Sequence, residues 1–393
     1  MRDFSFHSPT KLIFGQGKAD VLADELKASG IGRVLLLTGS RSVFSSGLYD
    51  KITGQLTAAG IHWETVSGVQ PNPKLGKVRE AILAGQKMQA EAIVPVGGGS
   101  VFDAAKAVAV GIPAEKDIWV IISRKLPVDK AVPIYGVLTL SGTSSEINSG
   151  FVITNEETHE KLYLATPHTS PKVAIVDPAL QFSVPRKQVL SAGFDALTHI
   201  LEAYFGGFDT SPVIVEGCES MARSIIRCLR ALAADEDKLQ DYAVRSELAF
   251  CSVYAHSGWA SVGKGVRGDF SSHPIAHAVG SLYDVPHGIS LGVVMPAWMR
   301  FVYEQGLCQE IFTRLATHVF ELTDADSNDL GYAGAYALSE LIKEMGLPAS
   351  LGDLKIERDD IPRIAELASR TLPFGCAMEM DLERITKVLE HAC

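Results

Sequence analysis

Residues 92–110 read AIVPVGGGSVFDAAKAVAV. The apolar run Ala92 to Val96 reads as a strand, Gly97-Gly98-Gly99-Ser100 ends it, and the spacing predicts a helix from about Val101 to Val110. The same grammar repeats upstream. Arg33 to Thr38 (RVLLLT) reads as a buried strand with a helix over Leu48 to Ala59 behind it, and Ile61 to Val66 as a strand followed by a helix from about Lys77 to Ala90. Pro133 to Leu138 supplies a fourth strand and Val173 to Val176 a last short one. Strands alternating with helices imply right-handed βαβ units and a mainly parallel, Rossmann-like sheet. Segments 150–155 and 161–165 look like a hairpin appended to that sheet.

After Pro185 the strand signals fade. Helical periodicity covers 186–205, 212–233, 240–258, 274–282, 291–304 and 308–321, and continues to the C-terminus. The reading is an α/β domain at 1–184 and an all-helical domain at 185–393, with the cleft between them as the expected ligand site. A length of 393 residues suits two domains. Hydrophobic residues at 47% exclude a disordered chain, and a net charge of −10 without a basic run argues against nucleic-acid binding. No signal peptide and no membrane span is visible. The six cysteines form no C-x-x-C pair, which favours scattered thiols and a cytoplasmic location over a disulfide framework.

Two small-residue loops carry the first chemistry. At a helix start, Gly97 to Ser100 can hold a pyrophosphate on backbone N–H groups, or can simply be a tight strand–helix turn. Asp103 is expected in the first turn of that helix, where its charge suits the dipole. The dinucleotide fingerprint G-x-G-x-x-G is absent. Thr139-Leu140-Ser141-Gly142-Thr143-Ser144-Ser145-Glu146 follows the next strand, and two such loops at neighbouring strand ends favour a nucleotide crevice. Gly258 to Gly265 nearly matches a P-loop, but Gly265 replaces the magnesium-binding hydroxyl residue and no strand precedes it.

Five of the eleven histidines fall between 199 and 287. Asp195 and His199 are four apart on one helix face, and His273 and His277 repeat the spacing, with Pro274 suited to the first helical position. His287 follows Pro286 in a turn. One carboxylate with three imidazoles is a reasonable set for Fe²⁺ or Zn²⁺, although single histidines are commonly structural. Glu202 belongs either behind such a site or to the helix surface.

From Pro9 to the C-terminal helices the chain resembles the iron-containing (group III) alcohol dehydrogenases. The resemblance rests on Pro71-Asn72-Pro73, Gly97 to Ser100 with Asp103 and Lys106, Gly142 to Glu146, Asp177-Pro178, Gly193 to His199, and the stretch from His273 to Pro296. The tone of the sequence is most similar to the branch of butanol dehydrogenases and broad aldehyde reductases. The resemblance implies the dehydroquinate synthase-like architecture, with nucleotide on the α/β domain and metal on the helical one. It implies Asp195, His199, His273 and His287 as ligands of one divalent metal, Fe²⁺ first and Zn²⁺ second. It places His277 beside the nicotinamide and substrate. Gly98, Gly99 and Ser100 would line the pyrophosphate, and Asn72, Asp103, Thr139, Leu140, Thr143, Lys161 and Leu180 match other nucleotide-contacting positions. A homodimer or larger homo-oligomer is expected.

The implied reaction is hydride transfer between NAD(P)H and a primary alcohol/aldehyde pair, with the metal as Lewis acid and His277 as a candidate proton relay. Two alternatives stand beside it. A dehydroquinate synthase-like lyase would need several basic residues near the metal, and residues 250–290 offer only Lys264 and Arg267. The other is a non-catalytic nucleotide- or metal-binding protein. For the cofactor, the acidic residue common after the first long strand is Gly39 here. Gly39, Ser40 and Arg41 would admit and contact a 2′-phosphate, so NADP(H) is expected over NAD(H).

Overall fold

The computed structural model of the chain describes residues 1–323 and 329–393. They form two compact units, His7–Val184 with Gln240–Ala249, and Met1–Phe6 with Pro185–Leu239 and Phe250–Cys393. Relative to a division at 184/185, residues 1–6 and 240–249 change sides.

The first unit holds eight strands, β1 (Lys11–Phe14), β2 (Arg33–Thr38), β3 (His62–Val66), β4 (Ala92–Gly98), β5 (Tyr135–Leu140), β6 (Gly150–Asn155), β7 (Glu160–Ala165) and β8 (Val173–Val176). Its helices are α1 (Leu22–Ala28), α2 (Ser42–Ser45), α3 (Leu48–Ala58), α4 (Leu75–Met88), α5 (Gly99–Gly111) and α6 (Ile118–Ser123). Six strands pair in parallel in the order β1-β8-β5-β4-β2-β3. The chain therefore turns in opposite directions on leaving β2, toward β3 and then back to β4. That reversal is where doubly wound sheets open a crevice at their carboxyl ends. Alternation along β2 fills both faces: Leu35 and Leu37 pack with α4, α5 and α6, and Val34 and Leu36 with α1 and α3.

Three differences from the sequence reading have physical causes. β4 continues through Gly97 and Gly98, which pair with Leu138 and Leu140 across a register shift, so α5 starts at Gly99 rather than Val101. The hairpin β6–β7 is a separate antiparallel sheet, not an extension of the parallel one. Phe151, Ile153 and Leu164 put its inner face into the α4/α5 core, and Thr154 N–H donates to the Pro73 carbonyl at 2.9 Å. β1 escaped notice because it is four residues long and none is fully buried.

The second unit is helical. It contains α7 (Arg186–Tyr204), α8 (Pro212–Ala234), the end of α9 (Tyr242–Ala255), α10 (Ser272–Tyr283) and α11 (His287–Glu304). It continues with α12 (Gln309–Arg314), α13 (Leu330–Glu344), α14 (Ile361–Ser369) and α15 (Leu382–His391). The expected helix at 308–321 stops at Arg314 and widens into a π turn over Leu315–Val319. From Val189 onward α7 is buried almost completely, which makes it the central element against which the starts of α10 and α11 are placed. No helix among the described residues is long and apolar enough to cross a membrane.

Candidate active site

Asp195 and His199 sit one turn apart on α7, with Asp195 Oδ1 3.8 Å from His199 Nδ1. Two glycines bring partners to that turn. A Cβ on Gly288 would lie 2.1 Å from the Ser191 carbonyl oxygen, so only glycine lets the start of α11 abut α7 there. That contact delivers His287, which is the first residue of α11 rather than a turn residue, Pro286 being its cap. Gly268, at φ +154°, has the Glu202 carbonyl oxygen 2.7 Å from where a Cβ would stand, and it leads the chain over α7 into α10. α10 opens at Ser272, so Pro274 is its third residue and His273 its second. The helix starts early because residues ahead of Pro274 have partners on α7.

The ligand-type atoms converge. His199 Nε2 and His273 Nε2 are 3.1 Å apart, and Asp195 Oδ1 lies 4.0 Å from His273 Nε2 and 3.7 Å from His287 Nε2. A tetrahedral divalent ion with bonds of about 2.1 Å keeps its ligands roughly 3.4 Å apart. Asp195, His273 and His287 offer one oxygen and two nitrogens within 4.8 Å of one another, which suits such an ion. His199 flanks them, with Nε2 beside His273 and Nδ1 facing Asp195. Asp195, His199 and His273 are buried, which favours the neutral imidazole needed for ligation. Burial, with His273 and Arg267 nearby, holds His199 well below the usual imidazole range. His277 stands one turn beyond His273, its ring centre 4.9 Å from that of His287 and 6.1 Å from that of His273. His256, which the sequence left without a role, has its ring centre 4.4 Å from that of His199 with the planes tilted by 37°, and stacks on Phe270 at 5.6 Å.

In the sheet unit the expected nucleotide residues gather at the carboxyl ends of the strands. Gly39, Ser40 and Arg41 follow β2. Gly98, Gly99 and Ser100 join β4 to α5, and Thr139, Leu140 and Thr143 end β5 and open its loop. Leu180 lies in the short 3₁₀ turn after β8. Lys161 Nζ donates to Asn72 Oδ1 at 2.9 Å, a buried pair with Asn72 at φ +55°. Gly99 has a steric reason: a Cβ would meet Thr143 Oγ1 at 2.3 Å and Cγ2 at 2.5 Å.

Asp103 is the fifth residue of α5, beyond its first turn, and its oxygens face the loop after β5 and strand β6 rather than the helix dipole. Oδ1 accepts from Ser145 Oγ at 2.6 Å and Oδ2 from Val152 N at 3.0 Å. Lys106 completes this web, donating to Ser145 Oγ and Asn148 Oδ1, each at 2.9 Å, and to the Gly150 carbonyl at 2.7 Å. Burial lowers the Lys106 ammonium to about 8 and raises Asp103. The near-P-loop at 258–265 contains a 3₁₀ turn with no strand before it, and Lys264 Nζ donates to the Ala203 carbonyl at 2.6 Å.

Comparison with known proteins gives the family. Residues 9–178 match the iron-containing alcohol dehydrogenase family, and residues 189–393 match the C-terminal part of the Fe-containing alcohol dehydrogenase family. A probable NADH-dependent butanol dehydrogenase of Bacillus subtilis is 35% identical, over 99% of each chain. The 1,3-propanediol dehydrogenase of Citrobacter freundii is 32% identical, over 93% of this chain and 92% of that one. The crystal structure of NADH-dependent butanol dehydrogenase A from Thermotoga maritima superposes with a TM-score of 0.94 at 38% identity, covering 100% of this chain and 99% of the other. The chain belongs to the iron-containing alcohol dehydrogenase family and is a metal- and nicotinamide-dependent oxidoreductase of alcohols and aldehydes.

Proposed function

We propose that Asp195, His199, His273 and His287 together hold one divalent metal, Fe²⁺ before Zn²⁺, in an enzyme that interconverts primary alcohols and aldehydes with NADP(H) as the preferred cofactor. The convergence of these four side chains from three helices carries the reading. When bound, such a metal supplies Lewis acidity toward a substrate oxygen, and the nicotinamide supplies or accepts the hydride. The chain's own part is positional and acid–base. Asp195 contributes the negative charge, the neutral imidazoles orient, and His277 exchanges a proton through its ring nitrogen. Relatives named for butanol, 1,3-propanediol and lactaldehyde support short, uncharged substrates. A cytoplasmic location, supported by the free thiols of Cys218, Cys308, Cys376 and Cys393, belongs to the same reading, as does a homo-oligomer, which light scattering would check.

Cofactor preference rests on Gly39. Its φ lies outside the left-handed region, and a Cβ there would meet only the Val69 carbonyl oxygen at 3.8 Å, so neither backbone nor packing demands glycine. What glycine does is omit a carboxylate that would accept from the ribose hydroxyls and repel a 2′-phosphate. Ser40 and Arg41 are exposed beside it, with a hydroxyl donor and a guanidinium suited to phosphate. The names of the Bacillus and Thermotoga relatives point to NADH instead. The deciding assay runs an aldehyde panel with NADPH and NADH on Fe²⁺- and Zn²⁺-reconstituted protein. We expect kcat/KM to favour NADPH by about tenfold, on the order of 1.4 kcal/mol, and Gly39→Asp to remove that preference. Equal or better efficiency with NADH in the unmodified enzyme refutes the cofactor assignment.

A further inference from the structure

Glu202 lies on α7, two turns past Asp195, and only 1% of it is exposed. A carboxylate buried this deeply is costly unless its oxygens are engaged. Both are turned to the start of α10. Oε1 accepts from Ser272 Oγ, and Oε2 lies 2.5 Å from His273 Nδ1. The opposite ring nitrogen of His273, Nε2, is the one that faces His199 and Asp195.

The approach to His273 is fixed from a second side. Asp269 is fully buried; its Oδ1 accepts from Ser271 N at 3.0 Å, and its Oδ2 from Cys376 N at 2.6 Å and Ala377 N at 2.8 Å. Asp269 N in turn donates to the Glu202 carbonyl at 2.8 Å. Residues 268–273 are thus tied to α7 through both the backbone and the side chain of Glu202. An imidazole that ligates through one nitrogen needs its proton on the other, and a carboxylate at that other nitrogen holds the tautomer and the ring plane together.

We propose that Glu202 is a positioning residue which, through His273 Nδ1, presents His273 Nε2 to the Asp195–His199–His287 cluster, with Ser272 fixing the carboxylate. The proposal rests on the metal reading above. A bland alternative exists in the same contacts, in which Glu202 serves only to cap the start of α10.

The test uses the full chain, stripped of metal and titrated with Co²⁺ against a chelator, reading affinity, the d–d absorption bands and Tm of the apoprotein. Glu202→Ala should weaken Co²⁺ binding by about 10- to 100-fold and shift the bands, because His273 loses its orienting partner. Glu202→Gln, whose amide oxygen can still accept from Nδ1–H, should recover most of the affinity and the native bands. Ser272→Ala should weaken binding several-fold, in the same direction. Native Co²⁺ affinity and bands in Glu202→Ala, with a lowered Tm, would overturn the proposal and leave a helix cap. If Glu202→Ala does not fold, native affinity in Ser272→Ala together with loss of binding in Glu202→Gln overturns it equally. His273→Ala is the separate control: Co²⁺ binding like that of the unmodified chain there defeats the metal reading itself.

Discussion

The strand-end loops of the sheet unit and the histidine cluster of the helical unit are both built with glycine, but glycine acts at different ranges. At 97–99 it works within one strand–helix passage and the loop beside it, where Gly99 leaves room for Thr143. At 268 and 288 it lets two helix starts, about 70 and 90 residues downstream in the chain, press against the backbone of α7. The first arrangement is local. The second is long-range and presents side chains. On the proposed reading, a defect in the first should therefore be graded and confined to nucleotide binding, whereas a defect in the second should be close to all-or-none, because there four side chains would share one ion.

The largest effect expected from that contrast is on the ligands. His273→Ala and Asp195→Ala should each lose bound metal, measured by elemental analysis, together with activity, by more than about a hundredfold in kcat/KM. Retention of full metal and normal turnover in both would break the comparison at its root. His277→Ala is next. Its ring lies beside His287, one turn beyond His273, so metal content should stay native while kcat falls by about a hundredfold and the pH–rate profile changes shape. Loss of metal in this variant, with His273→Ala unaffected, would mean the two roles are exchanged.

On the sheet side the corresponding change is Gly99→Ala. The new methyl would sit within 2.5 Å of Thr143 atoms, and Thr143 is short and β-branched, so the loop itself has to move. KM for the cofactor should rise by about tenfold with metal content untouched. An unchanged KM would show that the Gly99–Thr143 approach has no bearing on the nucleotide.

The same contrast explains what could be read from the chain beforehand. β2, α3, β8, α7 and α8 were legible because their apolar periods are local, and parallel pairing follows from alternating strands and helices, whereas the order β1-β8-β5-β4-β2-β3 does not. The histidine cluster was visible as residue types and spacings on α7 and α10. What made it a cluster was not visible: Gly268 and Gly288 are ordinary glycines until the backbone they touch is known. Glu202 was undecided for the same reason, since burial and the contact with His273 are tertiary facts. The hairpin β6–β7 was found, but its placement depended on Asp103, whose carboxylate takes the Val152 N–H instead of serving the dipole of α5. His256 had the right residue type and no periodic partner, so nothing in the chain marked it as a neighbour of His199.

The smallest expected effect concerns the scaffold beneath the sheet-side loop, and its sign is informative. Glu146 is fully buried, and neither of its carboxylate oxygens has a hydrogen-bond partner among the described residues. Burial raises it from 4.5 to about 7, outweighing the influence of its own backbone N–H and the attraction of Lys106. A carboxyl group whose folded value exceeds its unfolded value binds its proton more tightly in the native state. Its favourable contribution is therefore present below pH 4.5 and is lost as the pH rises through about 7. Glu146→Gln removes this dependence. At pH 5 the variant and the parent should unfold at nearly the same temperature, since Glu146 is protonated in the native state of the parent. At pH 8 the variant should unfold about 2–4 °C higher, the shift that about 1 kcal/mol produces in a domain of this size. Paired thermal melts at the two pH values check it. A variant that is instead less stable at pH 8 than the parent would show that ionised Glu146 is a net stabilising partner of Lys106, and that the loop is held by charge as well as by the Asp103–Ser145–Lys106 web.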